Sequence, residues 1–276
     1  MKTALLQLNV SDDPAANLAE TVGLIADAAG QGAGFVVTPE VTNCLSMDHA
    51  HQLQVLQHES DDQTLKGLRE AAVRHGLWLS IGSLALKTGD ADGRFANRSF
   101  LIDPAGQIVA RYDKIHMFDV NVSATETFRE SASYRPGDQA VVADTPFAKI
   151  GMSVCYDVRF AYLYRALAQA GSEILLIPAA FSPVTGAAHW EPLLRARAIE
   201  TGSYVIAAAQ TGTHASISGK SRATHGHGMV VSPWGEVLVD MGTDPGIALV
   251  DLDLAEVAQS RQRIAALNHD RPFEGP

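Results

Sequence analysis

Cysteine is nearly absent: Cys44 and Cys155 are the only two in a chain of 276 residues. No C-x-x-C pair occurs, so the cysteines make neither a disulfide framework nor a zinc site. Long apolar runs are missing as well. None approaches the roughly 20 residues that cross a bilayer, and the opening M-K-T-A-L-L-Q-L-N-V turns polar too soon for a signal peptide. Basic residues are in deficit, 21 Lys and Arg against 31 Asp and Glu, for a formal net charge of -10. That balance argues against nucleic acid or an anionic membrane as a partner, and an anionic small substrate would need a local cation of its own. These absences give the expectation of a cytoplasmic protein whose thiols stay reduced.

What is present is ordinary globular material, 46% hydrophobic and 19% charged, long enough for one large α/β domain or two small ones. The stretch that organises it is Gly151–Phe160, G-M-S-V-C-Y-D-V-R-F. The apolar run Ala148–Val154 reads as a buried strand, and Arg159–Ala170, closed by Gly171, reads as an amphipathic helix. Cys155 falls where the strand ends, the place where α/β sheets put their chemistry. An arbitrary cysteine is more often a small buried hydrophobe, but a thiol buried for packing does not need Tyr156, Asp157 and Arg159 beside it.

Taken in order, Thr3–Asn9 reads as a strand, and Asp13 caps a helix with Pro14 in its first turn, ending near Gly30. Leu18, Val22, Ile25 and Ala29 form its apolar face. Phe35–Thr38 is a strand that delivers Pro39-Glu40. Ser60 caps a helix carrying Leu65, Leu68 and Ala72, ended by Gly76. Leu77–Leu84 is a third strand, and Ser99–Ile102 and Ile108–Tyr112 flank the turn D-P-A-G-Q. The second half repeats the plan: strand 148–154, helix 159–170, strand Ile174–Ile177 delivering Pro178-Ala179, helix His189–Glu200, strand Tyr204–Ala209, and a hairpin over S-P-W-G-E at Ser232–Glu236. The matching turns and strand exits predict an internal repeat, with two sheets packed face to face and helices outside. Strand Ile247–Leu252 and a helix near Leu254–Ala265 end the core. The division expected is a domain over 1–253 and a C-terminal helix and tail over 254–276.

A free thiol is only a few per cent thiolate at neutral pH and needs a helper. Ten histidines are available, yet none can be paired with Cys155 by spacing alone. Glu40 is the other candidate base, since a charge at the end of a buried run is costly unless it is used; the bland alternative is a surface glutamate. Lys114, in R-Y-D-K-I-H-M-F-D, follows the first hairpin directly and can donate to an oxyanion, although most such lysines are solvated surface.

Glu40 in T-P-E, Lys114 in Y-D-K-I-H-M-F-D and Cys155 in S-V-C-Y-D-V-R-F, in that order, resemble the Glu-Lys-Cys triad of the nitrilase superfamily of carbon–nitrogen hydrolases. The resemblance covers roughly residues 1–265. It implies an α/β fold, a four-layer αββα sandwich, and a second glutamate, Glu130, in T-F-R-E-S-A-S-Y-R-P-G-D. Thr38 stands where the family usually has leucine, a departure expected to have little effect. The stretch 185–212 is similar to the Nit branch, which implies hydrolysis of a short α-keto acid amide, deaminated glutathione ahead of α-ketoglutaramate. It also implies Arg159, Phe181 and Thr185 at the keto-acid end, Tyr156 supplying a backbone N–H, no metal or organic cofactor, and a homodimer or higher homo-oligomer. An arginine beside the nucleophile is the cation an anionic substrate requires. A non-catalytic binding subunit of the same fold is the alternative of another class, disfavoured by the intact triad.

Other signals carry less. G-Q-G-A-G at 30–34 precedes a strand, so the dinucleotide fingerprint fails. G-K-S at 219–221 lacks the first glycine of a P-loop, where His214 stands. H-G-H-G at 225–228 has no carboxylate or cysteine at ligand spacing. Cys44 reads as packing near the site, and Trp190 as a core or interface residue. The polar loop Thr213–Thr224 is the expected wall of a leaving-group channel, with Lys220 or Arg222 offered to a carboxylate.

Overall fold

The computed structural model describes residues 1–122, 127–217 and 219–275. The first half runs β1 (Lys2–Gln7), α1 (Pro14–Gly30), β2 (Phe35–Val37), α2 (His49–Val55), α3 (Gln63–His75), β3 (Trp78–Lys87), β4 (Phe95–Ile102) and β5 (Ile108–Asp113). A small ribbon, β6 (Asp119–Asn121) with β7 (Thr127–Arg129), links it to the second half. There follow β8 (Val141–Asp144), β9 (Lys149–Met152), a 3-10 turn over Cys155–Arg159, α4 (Ala161–Gln169), β10 (Ile174–Leu176), α5 (Pro183–Thr201) and β11 (Tyr204–Ala207). The chain ends with β12 (Thr211–His214), β13 (Arg222–His225), β14 (Met229–Val231), β15 (Val237–Asp240), β16 (Gly246–Asp251) and α6 (Ala255–Arg263). Among the described residues no helix is long and apolar enough to cross a membrane.

The repeat is visible strand by strand. One sheet has the order β16-β1-β2-β3-β4-β5 and the other β8-β9-β10-β11-β14-β15. In each, three central strands run parallel and every remaining pairing is antiparallel. The chain therefore forms a four-layer αββα sandwich. Alternation along the strands sorts the layers: Ala4, Leu6 and Val36 pack with Ile25 of α1 and Leu68 of α3. Leu5, Phe35 and Val37 join the cluster of the second sheet, which extends to Leu163 and Leu167 of α4 and Leu194 of α5. Each fully buried Leu, Ile or Phe contributes about 1.5–3 kcal/mol of burial.

Several local expectations change. The second long helix is capped by Asp62, not Ser60: the Asp62 carboxylate accepts the Leu65 N–H at 2.7 Å, while the Ser60 hydroxyl turns to Asp61. Of the face read for α1, Ile25 alone is fully buried, with Asn17, Thr21 and Ala28. Leu18, Val22 and Ala29 are half-buried against the same cluster, because α1 packs sideways on α3, with Leu18 against Gly67, as well as down on the sheet. The helix read over 159–170 is split into the 3-10 turn and α4. The helix read over 189–200 starts at Pro183, behind Ser182. The loop read over 213–224 is shorter than that: its ends, 213–214 and 222–224, lie in the hairpin strands β12 and β13.

The two strand exits converge at Gly82. A Cβ there would lie 2.1 Å from the Thr38 carbonyl oxygen, 2.4 Å from that of Pro39 and 2.6 Å from Pro178 Cβ. The β3–β4 register shifts between Ile81 and Leu84 at this point, as a strand does where another backbone comes close. Thr38, fully buried, accepts the Gly82 N–H at 3.1 Å and pairs with Thr42 Oγ1 at 2.8 Å, so the hydroxyl at this position has work that a leucine could not do. Gly82→Ala should cost about 1–3 kcal/mol or more, read as a lower urea midpoint. Gly23→Ala, in an exposed turn of α1 with nothing within 4 Å of the new Cβ, should raise stability by roughly 0.5–1 kcal/mol. Equal effects of the two substitutions would contradict the close approach.

Candidate active site

Three strand ends on one edge of the sandwich supply the site. Glu40 lies three residues beyond β2, and Cys155 three beyond β9. Lys114 follows β5, which two antiparallel reversals, β3–β4 and β4–β5, return to the direction of β3. The backbone is held in the left-handed region at Val41 (φ 48°) and at Cys155 (φ 52°), a conformation costing roughly 1–3 kcal/mol for a side-chain-bearing residue. The Val41 N–H is fixed by Ser83 Oγ at 2.8 Å and the Cys155 N–H by the Pro178 carbonyl at 2.9 Å. The sheets are sewn together here. Gln210, wholly buried, donates from Nε2 to the Glu40 carbonyl at 2.9 Å and accepts the Val10 N–H at 3.3 Å.

Lys114 sits between two carboxylates. Its Nζ donates to Glu40 Oε1 at 3.0 Å and to Glu130 Oε1 and Oε2 at 2.8 and 2.9 Å. Glu40 Oε1 also accepts Asn97 Nδ2 at 2.8 Å, and Oε2 accepts the Ala180 N–H at 2.7 Å. The Cys155 thiol interacts with the Glu40 carboxylate. Glu130 is anchored by the Phe118 N–H at 2.6 Å. Glu40, Lys114, Glu130, Cys155, Tyr156, Phe181 and Thr185 all line one cavity of about 200 Å³.

The electrostatics follow from burial and pairing. Burial opposes the charged form of Glu40, but the Lys114 charge, with hydrogen bonds from Lys114, Cys155 and Ala180, outweighs it and holds the carboxyl below its usual range. Burial opposes the Lys114 ammonium too, and Glu130 and Glu40 overcome it, so the amine titrates well above its ordinary value. Cys155 is pushed well up by burial and then by the Glu40 charge, with Lys114 pulling the other way. The resting site is therefore a neutral thiol, a carboxylate and an ammonium. Cys44 also lines the cavity, but its thiol is pushed up to about 12 by burial and by Asp12 and Asp13, and its hydrogen bond goes to the Asp12 carbonyl.

Of the substrate-facing residues named from the sequence, Arg159 stands apart. It is not among those lining the cavity; its guanidinium carbon lies 5.4 Å from the Phe181 ring centroid and 5.8 Å from that of Tyr156, with His189 Nδ1 3.3 Å from its Nη1. Thr185 Oγ1 is buried with no partner among the described residues. Arg222 lines the cavity, whereas Lys220 is exposed and does not. Trp190 is fully buried and donates to the His227 carbonyl.

Two contributors were given no role from the sequence, where Asp157 was read only as a polar neighbour of Cys155. Asn97 sits in β4, where a buried amide inside an apolar run was the available signal. Asp157, fully buried, accepts from four donors: the Tyr112 hydroxyl at 2.6 Å, the Val154 N–H at 2.9 Å, the His116 N–H at 3.0 Å and His116 Nδ1 at 2.6 Å. It thus ties the Cys155 turn to the segment carrying Lys114. Among the described residues no group of three or more His, Cys, Asp or Glu could hold a metal ion.

Comparison with known proteins agrees with this geometry. The chain is 39% identical over 269 residues to the deaminated glutathione amidase of Yersinia enterocolitica, covering 97% of this chain and 92% of that one. It is 39% identical over 272 residues to the deaminated glutathione amidase of Homo sapiens, covering 98% and 82%. Among solved structures, the C. elegans NitFhit protein superimposes with a TM-score of 0.90 at 34% identity. That match covers 98% of this chain and 65% of NitFhit, so the chain spans under two thirds of that protein. Saccharomyces cerevisiae Nit3, a member of branch 10 of the nitrilase superfamily, superimposes with a TM-score of 0.86 at 26% identity, covering 99% and 97%. The carbon-nitrogen hydrolase family profile matches residues 2–262, and the chain belongs to that family, within the nitrilase superfamily.

Proposed function

We propose that this chain is a thiol-dependent amidase that hydrolyses the amide bond of a short α-keto acid amide, deaminated glutathione foremost, through a thioester on Cys155. What carries the reading is the buried ammonium of Lys114 held between Glu40 and Glu130, with the Cys155 thiol in the same cavity and interacting with the same Glu40. The substrate assignment leans on the relatives named deaminated glutathione amidase.

Because the thiol is neutral at rest, ionising it ahead of attack is unfavourable. The proton passes to Glu40 as the sulfur bonds to the amide carbon. The oxyanion that forms is met by Lys114 and by the Tyr156 N–H. In the 3-10 turn the Cys155 N–H is spent on Pro178 and the Asp157 N–H on Val154, leaving the Tyr156 N–H as a donor at the start of a helical turn. Lys114 reaches the oxyanion by exchanging one of its two bonds to Glu130. Glu40 then gives its proton to the leaving amine as the C–N bond breaks. A water deprotonated by Glu40 attacks the thioester, and the departing thiolate recovers the proton. Glu130 orients Lys114, and Asn97 and Ala180 orient Glu40. Phe181 and Thr185 hold the keto-acid end from the cavity lining, with Tyr156 flanking it, and Arg159, outside the lining but beside the Phe181 and Tyr156 rings, supplies the cation for its carboxylate. We further infer a catalytic domain over 1–253 followed by a C-terminal helix and tail over 254–276, a cytoplasmic setting, a small anionic amide as partner, and a homodimer or higher homo-oligomer.

The pH dependence separates a glutamate base from a histidine. The Glu40 carboxyl is lowered, so its negative charge and the stability it lends persist above the ordinary value and vanish only as pH falls through the lower folded value. Lys114 is raised, so its ammonium persists up to and beyond about pH 10.4. The expected kcat/KM profile is flat from about pH 5 to 9, and an acid limb near 6.5, the ordinary histidine value, would contradict it. Lys114→Met should lower kcat by roughly 10²–10³ or more and move the acid limb upward, because Glu40 loses its counter-charge; an unmoved limb would remove Lys114 from the base's environment.

The reaction class is tested by Cys155→Ala, expected to fold and to lose activity on the order of 10⁶-fold, and by assays for ammonia and peptide release. Wild type should cleave deaminated glutathione with higher kcat/KM than α-ketoglutaramate. The reverse order would make the protein an ω-amidase, and no turnover of either would reject the reaction.

A further inference from the structure

The cavity holds a cation that the proposed chemistry leaves idle. Lys114 is committed to Glu40 and Glu130. Arg129, also in the lining, turns to Asn121 Oδ1 and to the Val120 and Phe128 carbonyls. Among the described residues Arg222, at the start of β13, makes a single hydrogen bond, from Nη2 to the Ala180 carbonyl at 2.6 Å. Its Nε is buried with no partner among the described residues, and no described carboxylate lies within ion-pair distance of it. The ring of Phe128 lies 5.4 Å from its guanidinium carbon. A guanidinium pinned at one nitrogen, backed by an aromatic ring and short of a counter-charge is expensive for a structure to keep, and its planar fork fits a carboxylate.

Position says which end of the substrate this carboxylate belongs to. Ala180 is shared: its N–H donates to Glu40 Oε2 and its carbonyl accepts from Arg222. One residue of backbone therefore separates the Arg222 fork from the carboxylate that protonates the leaving amine, a span of no more than about 10 Å. A dipeptide leaving group extends about 7 Å from its amine to its terminus, whereas ammonia has no second charge to offer. Lys220, exposed and outside the lining, is not placed to share the role.

We propose that Arg222 forms a leaving-group subsite that binds the terminal carboxylate of a peptidyl amine, so that the enzyme selects amides whose departing half ends in a free carboxylate. This rests on the amidase reading above and names the substrate class of the same site. The test compares deaminated glutathione with its analogue in which the terminal glycine carboxylate is a carboxamide, in wild type, Arg222→Met and Arg222→Lys. Wild type should favour the free acid tenfold to a hundredfold in kcat/KM. In Arg222→Met the ratio should fall to within about twofold of unity, and in Arg222→Lys, which keeps the charge without the fork, it should lie between. A wild-type ratio near unity, or a ratio that survives in both variants, overturns the subsite while leaving the amidase standing. A uniform loss on both substrates with the ratio unchanged assigns Arg222 to holding Ala180 and also overturns it. Failure of wild type to cleave either substrate rejects the amidase reading, and the subsite falls with it.

Discussion

The constraint on which the rest depends is one buried positive charge. Lys114 lies almost wholly out of water, where an unpaired ammonium would lose its proton or unfold its surroundings. Two carboxylates brought from different parts of the chain keep it charged, and each is fixed in turn by backbone N–H groups: Ala180 for Glu40, Phe118 for Glu130. The state of the Cys155 thiol follows from the same arrangement. A thiol beside an ionised glutamate stays protonated, so the group that suppresses the resting thiolate is the one placed to take its proton.

This arrangement needs both halves of the repeat. Glu40 and Lys114 come from the first sheet, and Cys155 and the Ala180 N–H from the second. The halves meet where Gly82 lets the exits at Pro39 and Pro178 touch, where Gln210 crosses to Glu40 and Val10, and where Asp157 binds Tyr112 and His116 beside Lys114. The left-handed turns at Val41 and Cys155 are the local strain of aiming two side chains at one point, offset by the packing of four layers around it.

Much of this was legible in the residues. Asp13-Pro14 announced a capped helix because a carboxylate and a fixed φ suit its first turn; D-P-A-G-Q and S-P-W-G-E announced paired hairpins, and their likeness announced the repeat. Cys155, Glu40 and Lys114 stood out as polar groups at the ends of apolar runs. What escaped depends on contacts far apart in sequence. Each sheet is closed by an outer antiparallel strand, β16 on β1 and β8 on β9, and the partner of β1 lies some 250 residues away, beyond any local pattern. The three-residue strands of the 119–129 ribbon are too short for alternation to show. Asp62 displaced Ser60 because two adjacent acids and a serine offer equivalent caps until the helix axis is set by packing. Asp157 was visible beside the cysteine, but three of its four donors come from Tyr112 and His116, a stretch that meets it only in the folded chain.

Covalent chemistry at Cys155 is the central claim, and it has a direct readout. Acid-quenching the wild-type enzyme during turnover of deaminated glutathione, then digesting it and measuring peptide masses, should find the keto-acyl group as a thioester on the peptide containing Cys155 and no adduct on the peptide containing Cys44. An acyl group on Cys44, or sustained turnover with no acyl-enzyme at any quench time, would contradict the account.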